Sequence, residues 1–230
     1  MYWDEDDKQA QDYVVPDDIV DLAFAVSCRC LPPDHAHALS SALCEALPWL
    51  THEPGAGVHL IHGAESGNGW YRPEDPERDV LYLSRRTRMT LRLPKVRVAD
   101  ARALGGSELD VAGYALRIGE ATVRPLSTLP TLFARYVVAD TAQGEEDFLE
   151  DSAARLRETG IPVRKLLCGR SHSLRTPEGA IFTRSLMVAD LDAEQSVRLQ
   201  QCGLGRRRMM GCGLFIPHKG IAPVRRGEDG

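Results

Sequence analysis

Thirteen residues near the C-terminus, GLGRRRMMGCGLF at 203–215, hold four glycines and three consecutive arginines. Gly203 and Gly205 follow a predicted helix, and Gly211 and Gly213 precede a predicted strand. Glycine permits positive φ and close backbone approach. Such a loop can turn backbone N–H groups and the guanidinium forks of Arg206, Arg207 and Arg208 toward phosphates or nucleic acid. Its helix–loop–strand order separates it from a dinucleotide fingerprint, and the missing G-K-[ST] separates it from a Walker A loop. The plainer alternative is a tight turn with a solvated basic tip. A second basic stretch, SRRTRMTLRLP at 84–94, alternates as a strand. Arg86, Arg88, Thr90 and Arg92 fall on one face, and Thr87, Met89, Leu91 and Leu93 on the other. With Arg85 beside it, this stripe either contacts phosphates or pairs with the chain's acidic segments.

Seven histidines supply groups that titrate near neutral pH. His35 and His37 stand at the start of a predicted helix, His35 at its first position. A helix N-terminus disfavours the imidazolium and so favours a neutral base. Two residues apart, the pair faces different directions; either can instead be an ordinary helix-start residue. His59 and His62 flank a predicted strand with opposite parity and read first as structural. His172 lies in the polar GRSHSL stretch beside Arg170. His218 and Lys219 follow the last predicted strand, where they either reach a phosphate or cap a sheet edge.

The elements that must position these groups alternate in period. IVDLAFAVSCRCL at 19–31 reads as the first strand, closed by Pro32 and Pro33. Asp34 can cap a helix over about 35–47. Strands follow at 58–62, 79–84 and 86–94, then a short helical piece at 95–104 and strands at 109–112 and 114–119. Trp70 and Tyr71 fall in a turn-rich loop, where they stack a base or pack at an edge. The second half repeats this order: a strand at 132–140, a helix at 144–159, paired strands at 163–174 and 180–191, a helix at 192–202 and a strand at 214–217. The expected fold is α+β, with two tandem ferredoxin-like (RRM-like) modules and a C-terminal glycine-rich loop. Its bounds are an acidic lead-in 1–17, modules 18–128 and 129–220, the loop 203–213 within the second, and a tail 221–230.

The totals narrow the classes. The net charge of −5 argues against a nucleic-acid binder, but base concentrates at 85–97 and 206–208, apart from the acid at 4–21 and 140–158. A basic face can exist on an acidic chain. No apolar run reaches membrane-span length, and the acidic start differs from a signal peptide, which places the protein in the cytoplasm. The six cysteines lack zinc-site spacing and read as reduced, mostly buried thiols, so neither metal nor cofactor is expected. Aromatic residues make up 6 %, and no strand carries the aromatic pair on which an RRM stacks bases.

With the loop GLGRRRMMGCG placed after two ferredoxin-like patterns, the chain resembles the CRISPR-associated endoribonucleases that cut repeats, Cas type six. DHAHALSSALCEALP, SRRTRMTLRLP and GLFIPHK resemble the branch first described in myxobacterial systems, over roughly residues 20–220. The resemblance implies a metal-independent cut in precursor CRISPR RNA. The 2′-hydroxyl attacks, leaving a 2′,3′-cyclic phosphate (or the 3′-phosphate derived from it) and a 5′-hydroxyl. It also implies a catalytic histidine after the first strand, which points to His35 or His37. Arg206, Arg207, Arg208, Arg86, Arg88, Arg92, Arg170, His172 and Lys219 are then the candidate RNA contacts. Repeat RNA is the expected partner; other subunits of a CRISPR effector complex and a homodimer stay open. Two rivals are a repeat-binding subunit that does not cut and an assembly protein without RNA preference.

Overall fold

The computed structural model describes residues 13–62 and 80–218. In chain order the first module has β1 (Ile19–Ser27), β2 (Cys30–Leu31), α1 (Ala36–Ala46), β3 (Gly57–His59), β4 (Leu81–Tyr82) and β5 (Arg88–Pro94). It continues with α2 (Val98–Ala101) between two 3₁₀ turns, β6 (Glu108–Val111) and β7 (Tyr114–Arg124). The second has β8 (Leu132–Val138), α3 (Glu145–Glu158), β9 (Lys165–Thr176), β10 (Gly179–Ala189), α4 (Ala193–Cys202) and β11 (Ile216–Pro217).

Alternation in IVDLAFAVS buries Val20, Leu22, Phe24 and Val26 on one face of β1. Against that face α1 lays Ala36, Leu39 and Leu43. The five-stranded sheet has the order β3-β5-β1-β7-β6, and the four-stranded sheet β11-β8-β10-β9. In each module the first long strand lies between the third and the last, every neighbouring pair antiparallel. That is the β-α-β-β-α-β ferredoxin arrangement, built twice. Among the described residues, no helix is long and apolar enough to cross a membrane.

Several expected strands are shorter in the structure, and hydrogen bonds account for three of them. The run 19–31 breaks at Cys28, whose thiol donates to the Cys30 carbonyl at 3.0 Å; Cys30–Leu31 pairs separately with β4. The run 58–62 stops at His59 because Ile61 gives its N–H to the His35 ring, 3.1 Å away, rather than to a strand. The run 86–94 starts at Arg88; before it, Ser84 donates its N–H to Thr87 Oγ1 at 3.1 Å and forms a turn.

The second module packs on the sheet face of the first that carries no helix. There Asp21 of β1 lies opposite Arg92 of β5. Arg92 has no exposed surface. Its Nε and Nη2 donate to Asp21 at 2.8 and 2.9 Å, and its Nη1 donates to the carbonyls of Gln200 and Phe215 at 3.0 and 2.9 Å. One guanidinium thus joins β1, the end of α4 and the strand side of the glycine loop. This burial removes Arg92 from the expected phosphate-contacting stripe. The loop folds onto itself beside it. Gly213, at φ +67°, brings its α-carbon against the Leu204 carbonyl where a Cβ has no room.

Two variants test this frame by urea denaturation. Arg92→Ala strands a buried carboxylate and is expected to cost about 3–5 kcal/mol, much of it recovered when Asp21→Ala is added. Gly213→Ala combines strained φ with a backbone clash and is expected to unfold the loop against the first module, with a loss of at least ~2 kcal/mol.

Candidate active site

The start of α1 separates the two histidines. His35 is the residue before the helix and is 1 % exposed. Its Nε2 accepts the Ile61 N–H, so Nδ1 carries the proton and donates to the Pro32 carbonyl at 2.9 Å. Burial depresses its pKa further than the neighbouring acceptors and Asp34 can raise it. The ring is neutral as expected, but burial rather than the helix dipole is the main cause. Both nitrogens are spent on backbone, which takes His35 out of reach of a substrate. His37, two residues on in the first turn, is half-buried.

The β9–β10 hairpin brings its tip to the same place. Asp34 Oδ2 accepts from the Arg175 N–H at 2.8 Å and from Arg175 Nε at 3.3 Å. Leu174 and Ile181, paired across the hairpin, join the core that α1 covers. Glu178 lies in the turn, exposed. Hydrogen bonds from Thr176 and its own backbone hold its carboxyl below the ordinary value, and the charges of His37 and Arg207 add to this.

The glycine loop divides its three arginines. Arg206 and Arg207 are exposed, and Arg207 is a non-glycine residue at φ +66°. Arg208 turns inward. Its guanidinium donates to the carbonyls of Cys202 at 2.6 Å, Gln201 at 3.2 Å, Ala56 at 3.3 Å and Gly55 at 3.4 Å. Desolvation, with Arg92 nearby, lowers its pKa to about 10, and it is charged at neutral pH. Arg208 is therefore a staple between modules, not a phosphate contact. The loop's N–H groups are also partly committed. Gly203 donates to Leu199 at 2.8 Å, Gly211 to Arg208 at 3.0 Å and Gly213 to Tyr136 at 2.6 Å. These three glycines allow close approach of neighbouring groups.

Between the modules lies a cleft of about 440 Å³, lined by His59, His62, Arg88, Arg124, Arg135 and Tyr136 among others. Burial raises the Asp21 carboxyl on its floor, but His59 at 3.6 Å and the two bonds from Arg92 outweigh it and hold the acid well below its usual range. His62 is pushed down to about 3, first by burial and then by Arg135, His35, His59 and His172. His172 meets the Tyr136 ring edge-on, with centroids 5.3 Å apart. Among the described residues, no group of three or more His, Cys, Asp or Glu is placed to hold a metal.

A family profile described as Cas6 Crispr matches residues 20–220. The CRISPR-associated endonuclease Cas6 of Myxococcus xanthus is 36 % identical over 206 residues, spanning 90 % of this chain and 84 % of that one. The chain belongs to the Cas6 family. Solved structures agree in fold. A CRISPR-associated Cas6 protein superposes with a TM-score of 0.60 at 12 % identity, over 87 % of this chain and all of that one, 100 %. A Cas6-related protein of Pyrococcus furiosus gives 0.55 at 10 % identity, over 86 % and 97 %.

On this Cas6 chain the expected site residues scatter. The α1 helix that carries His37 packs against both β9 and the 3₁₀ turn after Arg207. Arg88 reaches the cleft, although its Nη1 donates to the carbonyls of Arg85 and Thr87 at 3.1 and 2.8 Å. Arg86 sits in the turn before β5, exposed. Arg170 is exposed on the edge strand β9, and His218 packs near Phe133 with centroids 6.0 Å apart. Lys219, Trp70 and Tyr71 lie outside the described residues. Sequence reasoning passed over Arg135 and Tyr136, which read only as part of a strand, and Arg124. Arg135 and Tyr136 are adjacent on β8 and so differ in parity, and nothing in the sequence pairs β7 or β8 with the cleft.

His62 gives the cleft a pH signature. Between its ordinary value near 6.5 and its folded value of about 3, the unfolded chain holds one proton more than the folded one, so stability rises with pH. Acidification across this window is expected to cost up to ~1.4 kcal/mol per pH unit from this group. His62→Gln is expected to flatten that slope in urea melts at pH 4.5 and 6.5.

Proposed function

We propose that this Cas6 protein cuts CRISPR repeat RNA in the cytoplasm without a metal, with His37 as the proton-transfer group. The observation that carries the assignment is a half-buried histidine on the first turn of α1, the helix that packs against the 3₁₀ turn Arg208–Met210 of the glycine loop. In the cut, the 2′-oxygen forms a bond to phosphorus while the bond to the 5′-oxygen breaks. One proton leaves the 2′-hydroxyl and one reaches the departing 5′-oxygen. An imidazole can take the first or supply the second at neutral pH. Arg206 and Arg207, exposed on the glycine loop, offset the charge that gathers on the phosphate. The inter-module cleft, walled by Arg88, Arg124 and Arg135, takes the flanking strand. His35 supports the helix start.

Labelled repeat RNA from the chain's own locus, incubated with excess EDTA, tests the assignment. The parent is expected to make one cut that a 2′-deoxy substitution at that site abolishes. His37→Ala is expected to slow single-turnover cleavage by about 100-fold or more with RNA affinity nearly unchanged. His35→Ala is expected to lower the melting temperature instead, since it leaves the Ile61 N–H unpaired, at a cost of about 1–3 kcal/mol. Tight binding with no cut by the parent supports a guide-holding subunit and removes the catalytic reading.

Arg206→Ala and Arg207→Ala are each expected to weaken unrelated RNAs alike and to reduce the slope of log K against log salt by about 1. Filter binding over a range of salt concentrations checks this.

A further inference from the structure

The cleavage site assembled on α1 is not a property of one module. Asp34 immediately precedes His35 and lies three residues before His37, on the turn that starts the helix. Its side chain is 14 % exposed. Oδ2 accepts both the backbone N–H and the Nε–H of Arg175, at 2.8 and 3.3 Å, from 141 positions along the chain. Oδ1 is buried with no hydrogen-bond partner. A carboxylate so enclosed has little freedom to turn elsewhere, and the charge opposite it comes from the other module. Leu174, the residue before Arg175, is 4 % exposed in the first module's core, so the hairpin tip is anchored by packing as well as by charge.

We propose that the Asp34–Arg175 pair is a positioning device for the cut: it ties the β9–β10 hairpin tip to the first turn of α1 and so sets where His37 stands relative to the glycine loop. This inference rests on the assignment of His37 above. Glu178, three residues beyond Arg175, supports it independently of the pair, because its carboxylate feels both His37 and Arg207. The α1 helix packs against both β9 and the 3₁₀ turn that follows Arg207, so the three elements meet there. Neither member of the pair needs to touch the RNA. Small misplacements of a reacting group cost rate far more than they cost affinity.

The test separates rate from affinity. Single-turnover cleavage is measured for Asp34→Ala, Arg175→Ala and the double variant. Affinity is measured on repeat RNA blocked by 2′-deoxy at the cut site, and melting temperature is followed in parallel. Asp34→Ala, which removes both bonds, is expected to cleave about 10- to 100-fold more slowly, and Arg175→Ala, which keeps the backbone N–H bond, at least about threefold more slowly, each with affinity within about threefold of the parent. The double variant is expected to be no slower than Asp34→Ala, because loss of that carboxylate already removes both bonds. Arg175→Lys keeps the charge and is expected to recover most of the rate.

Three results overturn the proposal: cleavage within twofold of the parent in both single variants, affinity falling in step with rate, or additive losses in the double variant. His37→Ala runs alongside. Full cutting by that variant removes the site assignment and this inference with it. Loss of cutting there, with full cutting by the pair variants, removes only this inference.

Discussion

A guanidinium with no exposed surface, that of Arg92, sits where four chain segments meet: β1 through Asp21, its own strand β5, the end of α4 through Gln200, and the start of β11 through Phe215. A buried charge is tolerable only when its hydrogen bonds are complete and an opposite charge is adjacent. Asp21 supplies that charge through two bonds, and backbone carbonyls accept the remaining donor shown. The ion pair lies within the first module, but Nη1 finds its carbonyl acceptors only when the second module is docked. Arg208 repeats the device from the opposite direction, spending its donors on carbonyls at 55–56 and 201–202.

The glycine loop inherits its shape from that docking. Gly57 leaves room for Leu214, which lies 2.8 Å from where a Cβ would stand, and Gly211 leaves room for Leu60 at 2.7 Å. With the loop pressed down by these contacts and by Arg208, only Arg206 and Arg207 project from it. Function is then divided by burial. Charges that hold the modules together lie inside, and charges available to a polyanion line the rim and the cleft. This explains how a chain of net charge −5 presents a basic face.

The N-terminus of α1 shows the same division on a smaller scale. His35 and His37 are the same residue type two positions apart, yet one is enclosed and the other half-exposed. The enclosed ring substitutes for a strand partner, taking the Ile61 N–H and ending β3. The helix start that holds His37 thus depends on a histidine whose two ring nitrogens are spent on backbone.

Much of this Cas6 protein was legible in its sequence. Periodicity gave the order of elements in both modules, because a strand buried on one face must alternate and an amphipathic helix must repeat every three to four residues. The loop GLGRRRMMGCG marked the family through its place in the chain. Side-chain fate was not legible. Arg86, Arg88 and Arg92 share strand parity, yet one lies in a turn, one at a cleft mouth and one in the interior. Parity gives only the face of a sheet. Whether that face meets water or another module depends on contacts more than a hundred positions away, such as Arg92 with Phe215. The sequence by itself determined the elements, their order and the family, since these follow from local spacing. The tertiary structure alone decided which histidine and which arginines are enclosed and which stay exposed, since burial is a property of docked surfaces.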